Sequence, residues 1–143
     1  MQKRRNQWVL TLDHQDVSLD IHHIFPRACC EDEGIGANTF NSIVNKTPIS
    51  YKANRMIGRK APSEYLQALQ SHKQVGLSDS EMDNILSSHC IPVKEMRSDD
   101  FSAFYDARKR ELLKAIETAM GKASQRDQSS IIESPSSSAQ TAL

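Results

Sequence analysis

The chain has 143 residues, 38% of them hydrophobic and 25% charged, with 18 Lys and Arg against 18 Asp and Glu. That length suits one domain with a modest core, and zero net charge excludes a protein coated in cation for bulk nucleic-acid binding while leaving local patches open. No apolar run is long enough to span a bilayer and no signal-peptide core follows MQKRR, so a cytoplasmic location without a membrane partner is expected.

In chain order, residues 1–16 form a basic and polar N-terminal extension, in which WVLTL could make an edge strand. VSLDIHHIF alternates as a strand does, with Val17, Leu19 and Ile21 on one side, and Pro26 ends it because proline cannot donate to a ladder. Residues 27–42 combine acidic side chains with glycines, which predicts a short helical turn and a loop. IVNKTPIS reads as a brief extended piece broken by Pro48. Ser50 has the chemistry of an N-cap for a helix through YKANRMI, which Gly58 closes.

From there the pattern is helical. Pro62 in a first turn with Glu64 close behind opens one helix. Ser78 with Glu81 three residues on is a capping box for the next. The last helix, from Ser98 or Asp99 to Met120, carries Phe101, Phe104, Tyr105, Leu112, Ile116, Ala119 and Met120 on one stripe, and Gly121 is its C-cap. In it, ARKRELLK reads as a solvated charged face. The Ser- and Gln-rich tail, 123–143, has few apolar anchors and is expected to be disordered. The fold class is α+β, a small β-element followed by an α-helical C-terminal part.

Two adjacent histidines inside a strand need an explanation, because successive strand residues face opposite ways. His23, facing away from the core, could serve as a general base, since a neutral imidazole is poised near physiological pH. His22 could ligate a metal if the strand ends in a twist that brings both rings to one site. Asn54, one turn into the helix that Ser50 caps, can face back toward them. Arg55, Arg59, Lys60 and Lys46 cluster around this stretch and suit phosphate contacts, although a solvated basic face accounts equally well for any one of them. Cys29, Cys30 and Cys90 are odd in number and lack a CxxC pair, so they read as reduced structural thiols and not as a disulfide framework or zinc knuckle.

The order DIHHIFP, Asn45 in the next turn, a short strand, and a helix bearing Asn54 nine residues after Asn45 resembles the HNH nuclease motif, the ββα-metal fold. The wider run, HHIFPRA, NSIVNKTPIS, NRMIGRKAPSEYL and DDFSAFYDARKRELLKAIETAMGK, resembles the C-terminal HNH domain of GmrSD-type modification-dependent restriction proteins, over residues 17–122. The stretch between the histidines and Asn45 is longer than in the motif, as if a loop were inserted across residues 28–41.

The resemblance implies a metal-dependent endonuclease acting on DNA phosphodiester bonds, of a restriction or defence type. On it, His23 would be the general base, and Asn45 would tie the turn to the strand and orient His23. His22 and Asn54 would hold one divalent ion, with magnesium, manganese, nickel and zinc all left open. The family also carries an N-terminal domain that binds and hydrolyses nucleotide, which implies such a domain or subunit as a partner. No phosphate-cradling glycine loop occurs here, so the chain itself is expected to lack that activity, whether it is a fragment, a stand-alone unit or a remnant. A non-catalytic interaction or DNA-binding module left from a larger restriction protein is the alternative.

Overall fold

A computed structural model describes residues 19–123. The segments read as an N-terminal extension with WVLTL as an edge strand, and all but the first residue of the tail, lie outside the described residues. The order is β1 (Leu19–His23), α1 (Arg27–Asp32), α2 (Ala37–Phe40), a 3₁₀ turn (Ile43–Asn45), β2 (Lys46–Ser50), α3 (Tyr51–Ile57), α4 (Pro62–Ser71), α5 (Asp79–Ser88), α6 (Val93–Arg97) and α7 (Phe101–Met120). The class is α+β, mostly helical, and among the described residues the sheet is one antiparallel pair, β1 with β2. No described helix is long and apolar enough to cross a membrane.

The register sets which side chains share a face. Asp20 lies opposite Ile49 and His22 opposite Thr47, while Ile21 lies opposite Pro48 and His23 opposite Lys46. Ile49 and Thr47 are 4% and 7% exposed, so the face carrying Asp20 and His22 is the inner one. Ile21, on the side where the alternation placed the apolar residues, is 63% exposed. The strand is short, and its segment reaches the core beyond His23, where the chain bends and buries Ile24 and Phe25. Pro48 does not break β2 as expected. A strand in a two-stranded sheet has an open edge, where a missing N–H leaves no ladder bond unmade.

Helix ends follow the signals in the sequence. The Ser50 hydroxyl accepts from the Ala53 N–H at 3.2 Å, Gly58 closes α3 at φ +55°, and Ser78 with Glu81 forms the complete capping box. Gly121 ends α7 in the left-handed region at φ +63°, which costs a glycine nothing. Residues 27–42 hold two short helices where a turn and a loop were expected, and α6 carried no expectation. Four to six residues are too few for a 3.6-residue period to declare itself.

The core gathers where the chain after β1 meets α4 and α7. The Phe25 ring stands edge-on to Phe101 at 5.3 Å and tilted against Phe104 at 4.7 Å. Leu66, Leu69, Met82, Leu86 and Met96 belong to it. The Tyr65 hydroxyl donates to the Ile24 carbonyl at 2.7 Å, and burial holds that phenol protonated. The apolar stripe of α7 is buried only through Phe104, and Ile116 and Met120 are 49% and 63% exposed. A 20-residue helix is roughly 30 Å long and outruns the body it packs on.

Between these halves of α7 stands Arg108, 4% exposed. It belongs to the segment read as a solvated face, and the structure buries it. One Nη donates to the carbonyls of Val44 and Lys46, both at 2.7 Å, and the other to that of His89 at 3.3 Å. Burial pushes its pKa down to about 10, so it stays charged at neutral pH. The His89 ring meets the Thr47 hydroxyl at 3.2 Å, and burial first, then the Arg108 charge, lower its pKa below 6.5. Its contribution to stability is therefore complete above pH 6.5 and is lost as pH falls through the lowered value. Melting temperature should drop more steeply below that pH in the wild type than in His89→Gln, and equal slopes would remove His89 from the account.

Candidate functional site

Three elements converge on a cleft of about 440 Å³: the end of β1, the start of α1, and the C-terminal turn of α3. His22 and His23 line it from β1, Arg27 and Glu31 from α1, and Asn54 and Arg59 from α3 and the residues after it. Strand alternation would send the two imidazoles apart, but β1 ends at His23 and the chain bends at Ile24 and Phe25. Both rings therefore reach one opening.

Local chemistry explains why the chain turns there. Pro26 occupies the N-cap of α1 at φ −55°, a value its ring enforces, and cannot extend β1. Asn45 is wholly buried and clamps the bend from the far end of the β1–β2 connection. Its Oδ1 accepts from the Phe25 N–H at 2.9 Å, and its Nδ2 donates to the Phe25 and Phe40 carbonyls, each at 3.0 Å. Its own carbonyl accepts from the Ile24 N–H at 2.8 Å. Asn45 thus ties turn to strand, while its side chain bonds main chain and not the His23 ring.

The partner of the His23 ring is Asn41, whose Oδ1 lies 2.9 Å from Nε2. The Phe40 ring stands edge-on to the imidazole at 6.0 Å and 62°. The sequence reading passed over Asn41 because it lies in the stretch read as an inserted loop. Arg27, just ahead of that stretch, carries no motif signal of its own. It sits at the first position of α1, and its Nε pairs with Glu31 at 2.6 Å along the cleft.

The basic residues singled out in the sequence do not all gather. Arg59 lines the cleft. Arg55 is exposed and lies over the Tyr51 ring at 5.6 Å. Lys46 sits half-buried across the ladder from His23, and Lys60 is exposed beyond α3, outside the cleft lining.

Among the described residues no three His, Cys, Asp or Glu side chains gather as a metal cage. The donors lining the cleft are the His22 and His23 imidazoles, the Asn54 amide and the Glu31 carboxylate, which is paired with Arg27. His22 Nε2 is shielded from solvent and makes no hydrogen bond among the described residues. The Asp20 carboxylate lies 3.5 Å away, outside good hydrogen-bond geometry. Leaving such a nitrogen unpaired costs about 1–3 kcal/mol, which a bound cation would offset. An imidazole and an amide oxygen are donor types that a sparsely held divalent ion accepts, and His22 and Asn54 both line the cleft.

No protein-family model matches the chain, and no solved structure matches it. It is similar to an uncharacterized protein of Methanocaldococcus jannaschii, at 38% identity over 78 residues. The match covers 51% of this chain and 13% of that relative's length.

Proposed function

We propose that the chain is a metal-dependent HNH endonuclease that hydrolyses DNA phosphodiester bonds, in a restriction or defence role. The observation that carries this reading is the meeting of His22, His23 and Asn54 on one cleft, the histidines from β1 and Asn54 from α3, the helix that directly follows β2. His23 takes a proton from water as the water oxygen bonds to phosphorus and the bond to the departing sugar oxygen breaks. His22 and Asn54 would hold a divalent ion, which when bound would supply positive charge to the scissile phosphate and the leaving oxygen. Arg59, and Arg27 when its pairing with Glu31 opens, receive the flanking phosphates. Asn45 holds the bend on which both histidines depend.

The resemblance places target choice in a separate nucleotide-hydrolysing domain or subunit, and the small share of the longer relative that this chain matches agrees with that division. The reading is tested by plasmid cleavage with the purified protein in EDTA, magnesium, manganese and nickel. Nicking that appears only with metal supports it. Folded protein that cuts neither plain nor modified DNA in any metal leaves the interaction module as the better account.

Arg59→Ala should weaken DNA binding about equally across sequences and reduce the slope of log affinity against log salt by roughly one, the signature of one lost phosphate contact. An unchanged slope would take Arg59 out of the DNA groove.

A further inference from the structure

We propose that Asn41 is the positioning residue for His23, fixing the imidazole in the tautomer whose Nδ1 carries the lone pair. The Asn41 amide oxygen lies 2.9 Å from His23 Nε2. An amide oxygen can only accept, so the ring donates there and holds its proton on Nε2. A neutral imidazole has a single N–H, which leaves Nδ1 bare. What that lone pair is for rests on the nuclease reading; the tautomer itself does not.

The resemblance gives the orienting duty to Asn45, but the geometry divides it. Asn45 spends its side-chain bonds on the main chain of Phe25 and Phe40. It therefore acts on His23 at one remove, by gripping the residue whose ring stands edge-on to the imidazole. Asn41 follows Phe40 directly and caps α2, its own N–H bonded to the Ala37 and Thr39 carbonyls. Its backbone N–H is thus tied into the helix end, and its side chain has a defined starting point from which to meet the ring. The lengthened stretch between the histidines and Asn45 supplies the two groups that touch the His23 imidazole, the Phe40 ring and the Asn41 amide.

The test is long-range proton–nitrogen NMR on the full chain labelled with ¹⁵N-histidine, in mildly alkaline buffer, with His23 assigned by its loss in His23→Gln. The wild type should show one His23 tautomer, protonated at Nε2. Asn41→Ala should mix the two tautomers, and Asn41→Asp, whose carboxylate can accept the same proton, should restore the single one. In cleavage assays Asn41→Ala should lower kcat about ten- to a hundred-fold with KM little changed, as loss of an orienting partner does, and Asn41→Asp should recover most of it. A wild-type proton on Nδ1, or an unaltered tautomer in Asn41→Ala, overturns the proposal. If the wild type cuts nothing while the spectra respond as expected, the nuclease reading falls and the assignment of Asn41 stands.

Discussion

His23→Ala should lower metal-dependent DNA cleavage by about 10²–10⁴-fold, the range a positioned general base supplies, while the protein stays folded. The side chain is half-buried at the end of a strand, bonded to exposed Asn41 and resting edge-on against Phe40. None of the core packing around Phe25 depends on it, so the melting temperature should move by no more than about 1 kcal/mol of stability would move it. His22→Ala is the informative companion. It should also lose cleavage, but through weakened metal affinity, so that raising the metal concentration restores part of the rate; no metal concentration should rescue His23→Ala. Wild-type rates in His23→Ala would place the base elsewhere.

Asn45→Ala is expected to have the largest effect on folding, a loss of roughly 3–5 kcal/mol. The side chain satisfies one buried N–H and two buried carbonyls, and alanine would leave the Phe25 N–H and the Phe40 carbonyl unpaired and the Phe25 carbonyl with only the weak Cys30 thiol donor at 3.6 Å. Against a total stability of about 5–15 kcal/mol for a domain of this size, that loss is close to unfolding. Asn45→Asp makes the argument specific. It preserves shape and one acceptor, but a carboxylate has no N–H for the carbonyls of Phe25 and Phe40 and would bring a buried charge toward them. Urea denaturation should find both variants severely destabilised. A nearly normal midpoint for Asn45→Asp would mean that the clamp works by shape alone.

Much of the frame was legible because it is written in local signals. Ser50, Gly58, Pro62, the Ser78–Glu81 box and Gly121 each satisfy or terminate a backbone within a few residues of themselves. That Asn54 faces the cleft that His22 and His23 line was legible locally, since the Ser50 cap fixes where α3 starts and places Asn54 one turn in. What escaped was decided at long range. Arg108 looks like any other cation in a charged run, and only the contact with carbonyls 64 and 62 residues earlier makes it a core residue. Asn41 became a ring partner because Asn45 folds the intervening stretch back over the bend. Ile21 points outward because the chain reaches the core through Ile24 and Phe25 instead, after a bend that periodicity cannot register.

The grip of Arg108 on the two ends of the Val44–Lys46 turn also sets an order in time. The cleft residues all precede α7, yet β2, which pairs with the strand that carries both histidines, is held by α7, and Phe25 finds Phe101 and Phe104 only when that helix arrives. A ribosome making this protein from its N-terminus exposes both histidines long before it exposes their support. The two strands are joined early but wait, poorly braced, for residues more than fifty positions downstream. A polypeptide stopped anywhere before α7 would carry every residue of the cleft and the Asn45 clamp, but would lack the Arg108 grip on the turn into β2 and the rings that pack on Phe25.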